Sequence, residues 1–149
     1  MAGFAAEVSD DQHYPHPDVR SVGAMFRSDC IQLAFDTGLE RSNFGYDDND
    51  YEIGLGDTEE GPRVFRWHAG SGLGTGVVPQ IELAVHRGSK RTRYEAATPW
   101  QQLIPFSPQQ RDRLGFAVML NDNDGQDRGH AQWAGGIAGS KQPAQFGIL

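Results

Sequence analysis

One cysteine stands in 149 residues, so no internal disulfide staples the chain, and its stability must come from buried apolar surface or from bound ions. Cys30 opens the alternating run Cys-Ile-Gln-Leu-Ala-Phe-Asp, which reads as a buried strand thiol. Basic residues are scarce: 13 Lys and Arg stand against 20 Asp and Glu, for a net charge of −7. That balance excludes the basic footprint of nucleic-acid or anionic-membrane binding and suits a neutral ligand or a cation. Apolar residues make up 38%, below the usual globular share, and no run approaches the roughly 20 residues that a membrane-spanning helix needs. The opening MAGFAAEVSDD lacks the charged start and the apolar stretch of a signal peptide, as would a mature domain cut from a secreted protein. There is no G-x-S-x-G elbow, no H-E-x-x-H and no paired-cysteine motif. Carboxylates alone leave a glycosidase pair open by count, but twenty acidic residues ordinarily form a solvated surface, and the chain reads as non-catalytic.

What is present is glycine, 19 residues, and short alternating apolar segments. In 31–36, Ile31, Leu33 and Phe35 point one way and Gln32, Ala34 and Asp36 the other. The same period of two runs through 51–55, Arg63–His68, 80–87, 92–97, 115–120 and 129–133. Within Arg63–His68 it puts Arg66 and His68 on one face and Phe65 and Trp67 on the other. Thr98-Pro99-Trp100-Gln101 reads as a helix start, with Thr98 as cap, Pro99 at the first helical position and Gln101 reaching back. Pro105 and Pro108 keep that helix short. These segments predict an all-β fold, an antiparallel, jelly-roll-like β-sandwich with one short helical turn. Leu33, Phe35, Ile53, Ile81, Leu83, Val85, Phe116 and Val118 are its expected core, Trp67, Trp100 and Trp133 its expected packing aromatics. Residues 1–20 contain HYPHPD and read as an extended arm or linker, with residues 21–149 as the domain. His13 and His16 in that arm invite a metal reading, but the prolines give it no periodicity that would pre-organise a site.

Two further stretches have competing readings. The loop 69–76, AGSGLGTG, matches neither G-x-G-x-x-G nor a Walker pattern and precedes no helix pattern, so it reads as a flexible connection. The turn Asn121-Asp122-Asn123-Asp124-Gly125 is the densest cluster of oxygen ligands. Asp122 and Asp124 are candidate ligands of a structural calcium ion, although the twelfth-position Glu of an EF-hand is missing. The same turn also reads as an Asx turn whose side chains cap backbone N–H groups. Asp47-Asp48-Asn49-Asp50 carries the same ambiguity.

Tyr94-Glu95, Thr98-Pro99-Trp100, Leu120 through Gly125, Arg128 and the closing Gln145-Phe146-Gly147-Ile148-Leu149 together resemble the second half of a family 9 carbohydrate-binding module, one of the DOMON-like β-sandwiches. The resemblance covers roughly residues 30–149. It implies a glycan ligand and a site of Tyr46 as stacking aromatic, six residues before Glu52, with Arg66, His68 and Arg128 on the sugar hydroxyls. In 139–142, where the resemblance places a second clamping aromatic, none is found. Its implied role is to bind a polysaccharide or oligosaccharide and target a larger secreted enzyme or surface protein, with that parent in the same chain and outside the cell. The alternative is a structural or protein-interaction sandwich without glycan affinity. A haem-binding sandwich would need axial ligands, and Met25, Met119 and His68 suggest no pairing.

Overall fold

The computed structural model describes residues 1–17, 19–70 and 72–149. Ten strands follow in order: β1 (Ala2–Ser9), β2 (Cys30–Asp36), β3 (Asp50–Gly56), β4 (Arg63–His68), β5 (Gly76–Val77), β6 (Glu82–Arg87), β7 (Arg91–Thr98), β8 (Gly115–Asn123), β9 (Arg128–Trp133) and β10 (Gly147–Ile148). They form two antiparallel sheets, a smaller one in the order β1-β7-β6 and a larger one in the order β10-β8-β2-β3-β4-β5, with β9 also paired to β8. Between the sheets, Leu33, Ile53, Leu55 and Phe116 of the larger meet Tyr94 and Ala96 of the smaller, with Leu103, Phe106 and Leu114 closing one end. The sandwich predicted from the alternation is therefore present. Leu83, Val85 and Val118 are only partly buried, the first two because β6 is an edge strand.

The arm predicted over residues 1–20 contains a strand. Phe4, Ala6 and Val8 face inward and β1 pairs with the whole of β7, from Ala2 opposite Thr98 to Ser9 opposite Arg91. The fold therefore begins at Ala2; alanines supply too little apolar contrast for the alternation to stand out. The short helical turn expected after β7 is present, but its cap is not Thr98. Among the described residues 3₁₀ turns occur within Val19–Arg27, where Ser21 breaks the run, and at Trp100–Gln102 and Pro143–Gln145. At Trp100–Gln102 the cap is Pro99 and no side chain caps the turn, because Thr98 is still the last residue of β7 and is buried. Trp133 is 53% exposed, lying across Gly147 at the edge of β10 and near Phe116.

β2 and β3 are buried along their full length, where alternation predicts one solvated face. Two small cores cover the outer face of the larger sheet. One joins Val22, Met25 and Cys30 to Phe65 and Trp67. The other joins Ala34, Ala117 and Met119 to Ile137 and Phe146. Full burial pushes the Cys30 thiol up to about 12, so it stays protonated at neutral pH. The Trp67 ring rests directly on Gly54, where an added Cβ would collide with it and come within 3.0 Å of the Met25 sulfur. Gly54→Val should therefore cost about 1–3 kcal/mol through overpacking. Denaturant unfolding followed by tryptophan fluorescence should show both the lost stability and a shifted native emission; an unchanged native spectrum would disprove the contact.

Candidate functional site

Between the two small cores the outer face of the larger sheet stays open as a cleft of about 510 Å³. Its floor is a chain of polar side chains that crosses three adjacent strands. Asn121 Nδ2 of β8 donates to Gln32 Oε1 of β2 at 2.7 Å, and Gln32 Nε2 donates to Glu52 Oε1 of β3 at 2.7 Å. Lys141, from the loop before β10, donates to both Glu52 oxygens at 2.7 and 2.6 Å. Asn121, Gln32 and Glu52 are all buried, at 9%, 4% and 3% exposure. Polar groups so placed are retained only where their bonding is satisfied, and here each orients the next.

Aromatic groups flank this floor. On one side Tyr46 and His68 pack with ring centroids 5.1 Å apart, and His68 Nε2 lies 2.9 Å from the Asp47 carbonyl oxygen. Phe26 and Trp67 form the other side at 6.3 Å in an edge-to-face arrangement, held by Trp67 Nε1 donating to the Gly23 carbonyl at 2.7 Å. The Lys141 ammonium sits 5.8 Å from the Tyr46 ring centroid, in the segment where the second aromatic was expected. The Tyr46 hydroxyl is buried and has no hydrogen-bond partner among the described residues. Burial, and then the adjacent Glu52 charge, hold its pKa well above the usual tyrosine range. It is a neutral hydroxyl facing the Glu52 carboxylate.

Of the five expected sugar-contacting residues, the structure brings Tyr46, Glu52 and His68 together and leaves two out of the cleft. Arg66 does not share a face with His68. A bulge lies between the pairs Ile53–Arg66 and Glu52–His68, so Trp67 is the extra residue and His68 turns to its face. Arg66 stays on the core side, 3% exposed, bonding Gln102 Oε1 at 2.7 Å and the Gly74 carbonyl at 3.3 Å. It fastens the glycine-rich loop to the turn after β7. Arg128 donates to the Phe26 carbonyl at 3.1 Å and so acts behind the cleft wall. Trp67, expected in the core, packs on the small core of Val22, Met25 and Cys30 and also borders the cleft. Gln32, Asn121, Lys141 and Phe26 were not anticipated, although a polar residue in mid-strand opposite an apolar face marks the first two. Met25 sits in one small core and Met119 in the other.

Among the described residues, two clusters beside the sheets consist of carboxylates alone. Asp122 and Asp124 come together with Asp10, and both are exposed. Asp36, Glu40 and Asp50 converge in the loop between β2 and β3. There the Asp36 Oδ2 accepts the Arg41 N–H at 2.9 Å and the Asp50 Oδ2 accepts the Asp47 N–H at 2.8 Å, while Asp50 Oδ1 is buried with no partner among the described residues. Burial, with the charges of Asp47, Asp36 and Glu40, pushes Asp50 up to about 7. Three carboxylates around an orphaned buried oxygen fit a hard divalent cation with oxygen ligands.

No protein-family model and no curated protein matches the chain. Among solved structures, a family 9 carbohydrate-binding module from Caldicellulosiruptor kristjanssonii in complex with cellotriose superposes with a TM-score of 0.70 at 16% identity, over 98% of this chain and 66% of that one. A family 9 module from the same organism in complex with glucose gives 0.67 at 14% identity, over 98% and 68%. The chain thus spans about two-thirds of the length of those chains. In fold, it is a β-sandwich of the family 9 carbohydrate-binding-module type.

Proposed function

We propose that the chain is a non-catalytic carbohydrate-binding module whose outer-face cleft holds a short glycan. The observation that carries this reading is the Asn121–Gln32–Glu52–Lys141 chain laid between aromatic side chains. Sugar recognition needs that combination: rings for the apolar face of the pyranose and fixed donors and acceptors for its hydroxyls. The ligands of the two similar structures, cellotriose and glucose, make gluco-configured sugars the first to try. Its proposed setting is a secreted enzyme or surface protein, which the module tethers to a polysaccharide outside the cell. Calcium is proposed as a structural ion. Asp122 and Asp124, with Asp10, offer one place for it, and Asp36, Glu40 and Asp50 offer a more enclosed one.

Isothermal titration against glucose, cellotriose, xylan, mannan and pectic oligosaccharides tests the proposal. Binding to at least one glycan is expected, with loss on Gln32→Ala, which breaks the polar floor in its middle. A wild-type chain that binds none of the panel favours a structural or protein-interaction sandwich. One observation points that way: Lys141 already satisfies Glu52, so the cleft is complete without a ligand.

A further inference from the structure

His13, which does not line the cleft, occupies a setting that the glycan site does not use. Its side chain is 4% exposed, and neither ring nitrogen makes a hydrogen bond among the described residues. Three carboxylates surround it. Nδ1 lies 3.3 Å from Asp29 Oδ2 and 3.5 Å from Asp10 Oδ2, and Nε2 lies 3.8 Å from Asp57 Oδ2. An imidazolium clamped by carboxylates closes to about 2.7–2.9 Å, so these separations are too long for that bond. They suit a different geometry. Nitrogen and oxygen ligands about 2.0–2.2 Å from a tetrahedral ion stand about 3.3–3.6 Å from one another. Asp10, His13 and Asp29 each offer one ligand atom, all within 4.8 Å of each other.

We propose that Asp10, His13 and Asp29 bind a divalent transition-metal ion, with zinc the first candidate, through Asp10 Oδ2, His13 Nδ1 and Asp29 Oδ2. The imidazole decides the class of ion, because a nitrogen ligand suits zinc and its neighbours in the series, whereas calcium takes oxygen throughout. With Nδ1 on the metal, Nε2 carries the proton and faces Asp57, which gives the carboxylate–histidine–metal arrangement that fixes a ligating ring. The carboxylates are already oriented. Asp29 Oδ1 accepts the Asn123 N–H at 2.7 Å and its Oδ2 accepts the Tyr14 N–H, while Asp10 Oδ1 accepts the Gln12 N–H at 2.9 Å, turning Oδ2 to the histidine. Asp122 and Asp124 beside Asp10 add to the negative field, and Arg87 opposes it in part. The ion would tie the segment after β1 to the start of β2. In a chain without disulfides that is a cross-link, and its binding free energy is folding free energy.

The test is zinc titration of the metal-free protein, by competition with a chromophoric chelator and by melting temperature. Wild type should take up one Zn²⁺ and melt several degrees higher, whereas His13→Gln should lose the zinc response and keep any response to Ca²⁺. Because the variant removes a buried side chain, the ring ¹⁵N signals of wild type give a second reading. On adding one equivalent of Zn²⁺ they should move at one histidine, in the Nε2-protonated tautomer. No zinc uptake, an equal melting shift in His13→Gln, or ring shifts confined to the exposed His86 and His130 would each overturn the proposal.

Discussion

In EDTA the protein should melt higher at pH 6 than at pH 8. The cause is Asp50, a side chain of 0% exposure whose carboxyl is pushed up to about 7 by burial and by neighbouring carboxylates. Unfolded, it returns to the usual aspartate value of 3.8. The folded state therefore binds the extra proton between those values, and stability falls as pH rises through 7. Below 7 each pH unit recovers about 1.4 kcal/mol, worth about 3–5 °C in a domain of this size. Asp29, raised to about 6, acts in the same direction, whereas His13, lowered by burial, opposes it only below its ordinary value of 6.5. Calcium should reverse the trend, since it needs the deprotonated carboxylates of Asp36, Glu40 and Asp50. Added Ca²⁺ is expected to raise the melting temperature by mass action, more at pH 8 than at pH 6. Asp50→Asn should remove both effects: a flatter pH profile in EDTA and no calcium gain. A melting temperature in EDTA that falls from pH 8 to pH 6 would show Asp50 ionised and compensated by some other group, and would sink this account.

The strands that were legible are those whose apolar residues alternate with strong contrast. Ile31, Leu33 and Phe35, or Tyr51, Ile53 and Leu55, announce both a strand and its core face, and the registers of β2 against β3 and β8 put them there. β1 has the same period, but alanines on both faces blur it; its eight-residue pairing with β7 makes it a strand, and that partner lies more than eighty residues away. β5 and β10 have two residues each, too few for any period to register. The site was half legible for a related reason. Tyr46 and Glu52 are implied by the family resemblance, which places them on one loop and the strand that follows it. Placing Arg66 with His68 assumed unbroken alternation, and one inserted residue at Trp67 rotates the strand end by one face. Lys141 could not be anticipated, because it comes from an irregular loop and adopts a positive φ of 51° that no local pattern announces.

That rotation gives Tyr46 and Arg66 opposite mutational signatures, although both were expected to touch the sugar. Tyr46→Ala removes a ring from the cleft wall and should weaken glycan binding by about 1–3 kcal/mol, roughly tenfold to a hundredfold. Its stability cost should be near 1 kcal/mol, since the ring is half-buried and also packs near Phe146, at 6.3 Å between centroids. Arg66→Ala removes a buried guanidinium that bonds Gln102 and the Gly74 carbonyl and lies 5.7 Å from the Tyr51 ring centroid. Hydrogen bonds from a charged group contribute about 1.5–3 kcal/mol, and their partners are left unpaired between the sheets. Arg66→Ala should therefore lose that much stability while the folded fraction binds glycan within about twofold of wild type, well under the 1.4 kcal/mol of a tenfold change. Titration calorimetry below both melting temperatures, paired with urea unfolding, separates the two. If Arg66→Ala binds tenfold more weakly at unchanged stability, the guanidinium contacts the ligand and the cleft floor has been placed on the wrong side of β4. If Tyr46→Ala binds as wild type does, the ring that matters is Trp67, on the opposite wall beside Phe26.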